Sequence, residues 1–348
     1  MVNRSSSTAG VLLDPAPREE GARSLLGRLA TVAGILLVSL AVFLALSEVV
    51  LRVYLARHIF YDVEMSRYAT LLKIPSPNPE IGHVHRPNSA ARLMGVDVRI
   101  NSDGLRDDEY SLARNDRRRI VFLGDSLTLG WGVEKHDTFE ALLEKQLSRT
   151  EPTEILNFGT GNYNTTQEVG LFLEKGLRYQ PDEVVLFFFI NDAEPVPRRS
   201  AFWWLAYSRV ATFYWSRTKQ LAARFTSSSG FREYYSQLYR DDQPGWQAAK
   251  RAFLTLRETC NAQHIALRVV LLPELHELVQ YPFAREHGLV LAFLHQNGIA
   301  ALDLAPTFAN ETDPQRLWVA RDDAHPNALA HRLIAERSLA FVAQGLER

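Results

Sequence analysis

A serine, a histidine and an aspartate in this chain could together move an acyl group. The serine stands in Gly124-Asp125-Ser126-Leu127, directly after the apolar run Ile120-Val121-Phe122-Leu123. The histidine stands near the other end, in Asp322-Asp323-Ala324-His325-Pro326-Asn327. A serine hydroxyl is a weak nucleophile until a base takes its proton. An imidazole titrates near neutral pH and can be that base. A carboxylate beside it would fix its tautomer and stabilise the imidazolium. Two more polar groups also follow apolar runs, Asn157-Phe158-Gly159-Thr160-Gly161-Asn162-Tyr163 and Asn191-Asp192.

The elements that must position these residues read as alternating strands and helices. Ile120–Leu123, Ile155–Phe158, Val184–Ile190, Ile265–Leu272 and Ile299–Leu304 are predicted strands. Helices are predicted over Thr138–Leu147, Thr166–Leu177, Gln247–Asn261 and Ala328–Ala343. The continuous apolar run of the third strand suits a central strand covered on both faces. Such alternation points to a parallel sheet with helices on both sides. In sheets of this kind the chemistry sits at the carboxyl ends of the strands, where all four polar groups could converge.

Composition narrows the function. The chain has 348 residues, 46% of them hydrophobic, enough for a full core. A net charge of -1 argues against a nucleic-acid binder. The single cysteine, Cys260, excludes an intrachain disulfide and a cysteine zinc cluster, and it reads as a small packing residue. No dinucleotide fingerprint or phosphate loop is present, so no cofactor is expected. His83 and His85 stand two apart without a nearby third ligand, and His264, His276 and His295 lack ligand spacing. His83 and His85 read as ordinary surface histidines, and no metal is expected.

Residues 1–28 are polar and rich in Ser, Pro, Gly and Arg, and are expected to be disordered. Leu29–Ser47 carries no charge, and as a helix its 19 residues span about 28 Å, close to the hydrocarbon thickness. The run exceeds the apolar core of a cleaved signal peptide, usually about 7–15 residues. A transmembrane signal-anchor over 29–49 is therefore expected. Basic residues balance across it, and its place near the start of the chain favours the amino end inside and the body outside. The juxtamembrane stretch 50–117 holds a predicted strand over Val96–Ile100 and a turn at Asn101–Gly104, and is expected to pack on the main sheet as an addition. Between Asp192 and Gly245, about 193–245, lies an aromatic-rich insert with Phe202, Trp203, Trp204, Tyr207, Phe213, Tyr214, Trp215, Phe231, Tyr234, Tyr235 and Tyr239. It reads either as a substrate platform or as helices that use these rings for packing.

The order and local sequence of the four polar groups resemble the SGNH hydrolases, the GDSL esterase/lipase family, over roughly residues 118–345. The resemblance implies a flavodoxin-like three-layer α/β/α sandwich with a five-stranded parallel sheet over 118–348. It implies Ser126 as nucleophile and, from an Asp-x-x-His block, Asp322 and His325 as its partners, with Asp323 the competing acid. It implies an oxyanion hole from the Ser126 N–H, a backbone N–H at Gly161 and the Asn191 side chain. Asp125, Asp192 and Asn162 would support the site from behind. Two departures stand out: the third block lacks its usual glycine, reading Phe189-Ile190-Asn191-Asp192, and a count from Asn157 puts the second-block donor at Asn162.

The function so implied is a serine esterase that hydrolyses O-acyl esters, O-acetyl groups of an envelope or exopolysaccharide among them, from the extracytoplasmic side of the inner membrane. The alternatives are an O-acyltransferase to a glycan acceptor with the same triad, or a non-catalytic module of polysaccharide assembly. The expected partners are the membrane and an acyl-ester substrate, not nucleic acid.

Overall fold

The computed structural model describes residues 18–55, 58–196, 208, 210–215, 217–218 and 229–344. The chain divides into two units, Met1–Tyr54 and Leu55–Arg348. The first holds one long helix, α1, Arg18–Leu55. It begins inside the polar arm, and the disorder expected for residues 1–17 lies outside the described residues. Its stretch Gly27–Tyr54 is 28 residues long and apolar enough to cross a membrane, a requirement that a signal sequence also meets.

The second unit is built on five parallel strands: β5 (Arg118–Leu123), β6 (Thr153–Asn157), β7 (Glu183–Phe188), β8 (Ala266–Leu271) and β9 (Ala300–Asp303). Their order is β6-β5-β7-β8-β9, the flavodoxin-like winding. Every residue of β5, β6 and β7 is buried, because both faces are covered. One apolar layer lies under α5 (Thr165–Glu174), α7 (Pro244–Ala262) and α8 (Ala284–Gln296), and includes Cys260. The other lies under α4 (Phe139–Leu147) and α9 (Ala328–Ala343).

The two rims of the sheet differ in chemistry. At the amino-terminal rim Glu183 pairs with both Arg118 and Arg268, and Arg119 Nε donates to Glu154 at 2.9 Å. These charges neutralise one another, as buried charges must. The carboxyl-terminal rim carries the polar blocks instead: Gly124 leaves β5, Phe158 leaves β6 and Phe189 leaves β7.

The stretch before the sheet is more structured than its sequence suggests. It contains α2 (Tyr61–Leu71) and two hairpins, β1 (Lys73–Pro75) with β2 (His83–His85), and β3 (Ser89–Leu93) with β4 (Val96–Ile100). The predicted strand Val96–Ile100 is β4. A small core of Tyr68, Leu72, Leu93 and Val98 joins this region to Leu129 and Trp131, just beyond the serine. His83 and His85 are not surface residues: His85 is buried, with Nε2 2.6 Å from Tyr68 Oη and Nδ1 3.0 Å from Gly104 O.

Two buried histidines are expected to make the fold acid-sensitive. His331 on α9 stacks on Phe139, and its Nδ1 accepts the Phe139 N–H at 3.0 Å. Burial, then the charges of Arg106 and His325, push its imidazole down to about 3. His85 is likewise pushed down to about 3, mainly by burial. Unfolded, each would take a proton near pH 6.5, so below that pH the unfolded chain binds protons that the native state refuses. Stability should fall as pH drops from about 6.5 towards 3, by up to about 1.4 kcal/mol per pH unit for each such histidine. Thermal melts between pH 7 and 5 should show a shallower loss in His331→Gln; an unchanged slope would exclude His331 as a contributor.

Candidate active site

The serine is placed by a turn that only glycine permits. A Cβ at Gly124 would lie 2.0 Å from Thr128 Oγ1 and 3.3 Å from Phe187 O. The chain then turns into α3 (Ser126–Leu129), one helical turn whose N-cap is Asp125. The Asp125 carboxylate accepts the Leu127 N–H at 2.8 Å. Its other oxygen accepts from Asn191 Nδ2 at 3.2 Å. Burial raises the Asp125 carboxyl, against the pull of these donors and the His325 charge. Ser126, as first residue of α3, keeps a backbone N–H with no partner among the described residues, as expected for the open end of a helix.

The histidine comes from the other end of the chain. A short hairpin pairs β10 (Trp318–Ala320) with β11 (Asp323–Pro326) and carries His325 back to β5. Ser126 Oγ lies 2.8 Å from His325 Nε2. His325 Nδ1 lies 2.5 Å from Asp323 Oδ1, which also accepts the His325 backbone N–H at 3.1 Å. Asp323 Oδ2 accepts the Trp131 indole N–H at 2.9 Å. Burial would raise the Asp323 carboxyl, but the hydrogen bond and charge of His325, then the backbone and indole donors, outweigh it and hold the group below its ordinary range. With Nδ1–H committed to Asp323, Nε2 is left free to accept from the serine.

The carboxylate against the histidine is thus Asp323, not Asp322. The three-residue spacing presumed a looped block, whereas Asp323–Pro326 is extended. In a strand, alternate residues share a face, so positions 323 and 325 lie together. Asp322 precedes the strand and is exposed, on the edge of the same cavity.

The second block is tied down from several sides. Asn157 Nδ2 donates to Thr128 O at 2.9 Å and to Glu140, and Asn157 Oδ1 accepts the Gly159 N–H at 2.8 Å. Gly159 lies against the backbone of α3, where a Cβ would stand 2.2 Å from Leu129 N and 2.5 Å from Thr128 C. Gly159→Ala should therefore cost about 1–3 kcal/mol or more through overpacking against immobile backbone. A melting temperature equal to that of the native chain would contradict this contact.

Gly161 does not present its N–H to the serine. That N–H donates to Tyr68 Oη at 2.9 Å. The next residue, Asn162, has φ +65°, a left-handed conformation that asparagine tolerates. Its backbone N–H has no partner among the described residues, and Asn162 borders the cavity that holds Ser126 and His325. Asn191 borders the same cavity, and its Nδ2 carries a second N–H beyond the one given to Asp125. The loss of the third-block glycine costs no backbone strain: Phe189 sits at φ -123°, ψ 161°, and its ring forms part of the cavity wall. Asp192 accepts the Phe189 N–H at 3.0 Å from behind the site. Burial, then the charge of Asp125, pushes its carboxyl well above the ordinary range.

The cavity measures about 290 Å³. Tyr61 of α2 covers it from above, with its ring 5.6 Å from that of His325. Phe231 and Tyr235 of α6 (Ser229–Leu238) line it too, so the aromatic insert does reach the site. Tyr239 instead packs in the core and donates to Ile190 O at 2.8 Å, bracing the third block. Phe202, Trp203, Trp204 and Tyr207 lie outside the described residues. Tyr61, Tyr68, Trp131 and Arg106 escaped the sequence reading because no local spacing marks them. Arg106, itself buried, donates to Leu129 O at 2.9 Å and to Val133 O at 2.6 Å, holding the carboxyl end of α3.

Residues 122–333 match the GDSL-like Lipase/Acylhydrolase family. No curated protein sequence matches the chain. Among solved structures it is similar to an α/β-hydrolase enzyme from the metagenome of Lake Arreo, Spain, with 18% identity over 64% of this chain and 94% of that one, TM-score 0.44. It is also similar to a catalytic mutant of an acetylxylan esterase from Geobacillus stearothermophilus, with 14% identity, 65% and 94% coverage and TM-score 0.44. A psychrotrophic esterase from Pseudoalteromonas sp. gives 13% identity, 66% and 100% coverage and TM-score 0.42. The family match spans more than half of the chain and includes the serine, the histidine and all four polar blocks. This chain therefore belongs to the GDSL-like lipase/acylhydrolase family and is a serine hydrolase of ester bonds.

Proposed function

We propose that the chain hydrolyses short-chain O-acyl esters, acetyl esters of an envelope or exopolysaccharide, with Ser126 as nucleophile, His325 as general base and Asp323 as the acid that orients it. The observation that carries this reading is the unbroken relay from Ser126 Oγ to His325 Nε2 at 2.8 Å and from His325 Nδ1 to Asp323 at 2.5 Å. In the first step Ser126 Oγ bonds to the ester carbonyl carbon while its proton passes to His325 Nε2. The carbonyl oxygen becomes an oxyanion. The N–H groups of Ser126 and Asn162 and the side-chain N–H of Asn191 receive it, each such donor typically worth about 2.7–4 kcal/mol in the transition state. Collapse expels the alcohol, which takes its proton from His325. Water then attacks the acyl-serine with His325 again as base, and the acid leaves.

The size of the site supports a short acyl group, because Tyr61, Phe189 and Tyr235 leave only about 290 Å³. A second cavity of about 1220 Å³ also borders Asn162 and offers room near the site for the body of a polymeric alcohol. The apolar helix Gly27–Tyr54, long enough to cross a membrane, supports attachment to one; an inner-membrane location with the catalytic body outside belongs to the same proposal. The test is acetate release from an O-acetylated polysaccharide by the full chain in detergent. Release that disappears in Ser126→Ala is expected. Acetyl transfer to an added sugar, without free acetate, would favour the acyltransferase, and no change in the glycan alongside turnover of aryl acetates would exclude a glycan ester as substrate.

A further inference from the structure

The peptide between Gly161 and Asn162 is held by residues that lie outside the family match, which begins at residue 122. Gly161 O accepts from Lys73 Nζ at 2.6 Å and lies 3.1 Å from His83 Nε2. Lys73 Nζ also donates to Asn162 Oδ1 at 2.9 Å and sits 4.4 Å from the centre of the Tyr68 ring. On the other side of the same glycine, Tyr68 Oη takes the Gly161 N–H, and Tyr68 is in turn fixed by His85. A Cβ at Gly161 would lie 2.6 Å from the Tyr68 ring, so the loop and the tyrosine are in direct contact.

Peptide geometry turns these contacts into an orientation. In a planar trans peptide the C=O and the N–H point in opposite directions. With Gly161 O drawn towards Lys73 and His83, the Asn162 N–H is directed away from them. Asn162 is also the residue shared by the large cavity, which Lys73 and His83 line, and the small one, which Ser126 lines. The left-handed conformation of Asn162, uncommon for L residues though tolerated by asparagine, is tied down here by the Lys73 hydrogen bond to its side chain.

We propose that Lys73, with Tyr68 and His83, is a positioning clamp that aims the Asn162 N–H at the oxyanion, so that the segment following the membrane helix forms part of the catalytic apparatus. The proposal rests on the esterase reading above and extends it to α2, β1 and β2. The segment touches the reacting groups at a second place, through Tyr61 over His325, and braces α3 through Arg106. A clamp of this kind acts on the transition state, not on substrate affinity, because the oxyanion exists only there.

The test is steady-state hydrolysis of p-nitrophenyl acetate by the full chain in detergent. Lys73→Met should lower kcat on the order of 10–100-fold with KM nearly unchanged, as misaimed catalytic groups do. Lys73→Arg, which keeps N–H donors on a long side chain, should recover most of the loss. His83→Phe removes one of two groups on Gly161 O without touching Lys73, and should give a smaller fall in kcat with the same unchanged KM. Melting curves establish that each variant is folded. A kcat for folded Lys73→Met within about twofold of wild type, too small for loss of an aimed donor, would overturn the clamp alone. So would a loss carried wholly by KM. Wild-type turnover that is insensitive to Ser126→Ala would overturn the esterase reading and the clamp with it.

Discussion

Ser126→Ala is expected to lower kcat/KM for p-nitrophenyl acetate on the order of 10³-fold or more, with the protein still folded. Among the described residues, the Ser126 hydroxyl is the one held by an imidazole at this cavity, 2.8 Å from the His325 nitrogen left free to take its proton. The substitution removes one oxygen from a side chain at a helix start, where Asp125 supplies the cap. The fold should therefore survive, and Ser126→Ala should melt within a few degrees of the native chain. The oxyanion donors remain in the variant, so a residual rate above that of water is expected. An alanine variant as active as wild type would place the chemistry elsewhere.

The second large effect separates two adjacent aspartates. Asp323→Asn should lower kcat on the order of 10³–10⁴-fold, whereas Asp322→Asn should leave it within about twofold. Asp323 holds Nδ1–H of His325 at 2.5 Å and is itself held by Trp131. An amide there can turn its own N–H towards Nδ1, which moves the imidazole proton to Nε2 and removes the acceptor that Ser126 needs. Asp322 is exposed and makes no hydrogen bond to His325 among those described. Steady-state kinetics of the two variants on one substrate decide the matter: equal losses, or a larger loss in Asp322→Asn, would reverse the assignment. Acid will also affect the pair, because the depressed Asp323 carboxyl contributes stability above its unfolded value, and that contribution is lost as pH falls through its lower native value.

The sheet was legible because strand burial and local hydrophobic pattern coincide. The predicted third strand, Val184–Ile190, is β7, a central strand in which every side chain is buried, and the helix predicted over Ala328–Ala343 has those bounds in the structure. The helix Ala284–Gln296 was not read from sequence: its apolar residues run consecutively over residues 289–294 instead of recurring at helical spacing. At the site, Ser126, His325 and Asn191 could be singled out in the sequence because each sits in a short polar block beyond an apolar strand, and the structure brings all three to one cavity. In the sequence Asp323 reads as the competing acid and Asp322 is preferred through a question of local geometry: three-residue spacing suits a turn, and the backbone there is extended. Gly161 is preferred over Asn162 as the second-block donor for a different reason. Its N–H is taken by Tyr68, 93 positions earlier, and its carbonyl by Lys73, 88 positions earlier. No periodicity within the block could reveal partners so distant in sequence. The same holds for Tyr61 over His325, which comes from a helix whose own pattern of polar and apolar residues is weak.

The central claim is that Ser126 is the nucleophile that becomes acylated. A fluorophosphonate reacts only with a serine activated as a triad activates it, and leaves a stable adduct that peptide mass spectrometry can locate. The account predicts a single adduct on the peptide containing Ser126, formed by the wild-type chain in step with loss of ester turnover and absent from Ser126→Ala. An adduct on another residue that persists in Ser126→Ala, with turnover lost in parallel, would contradict it.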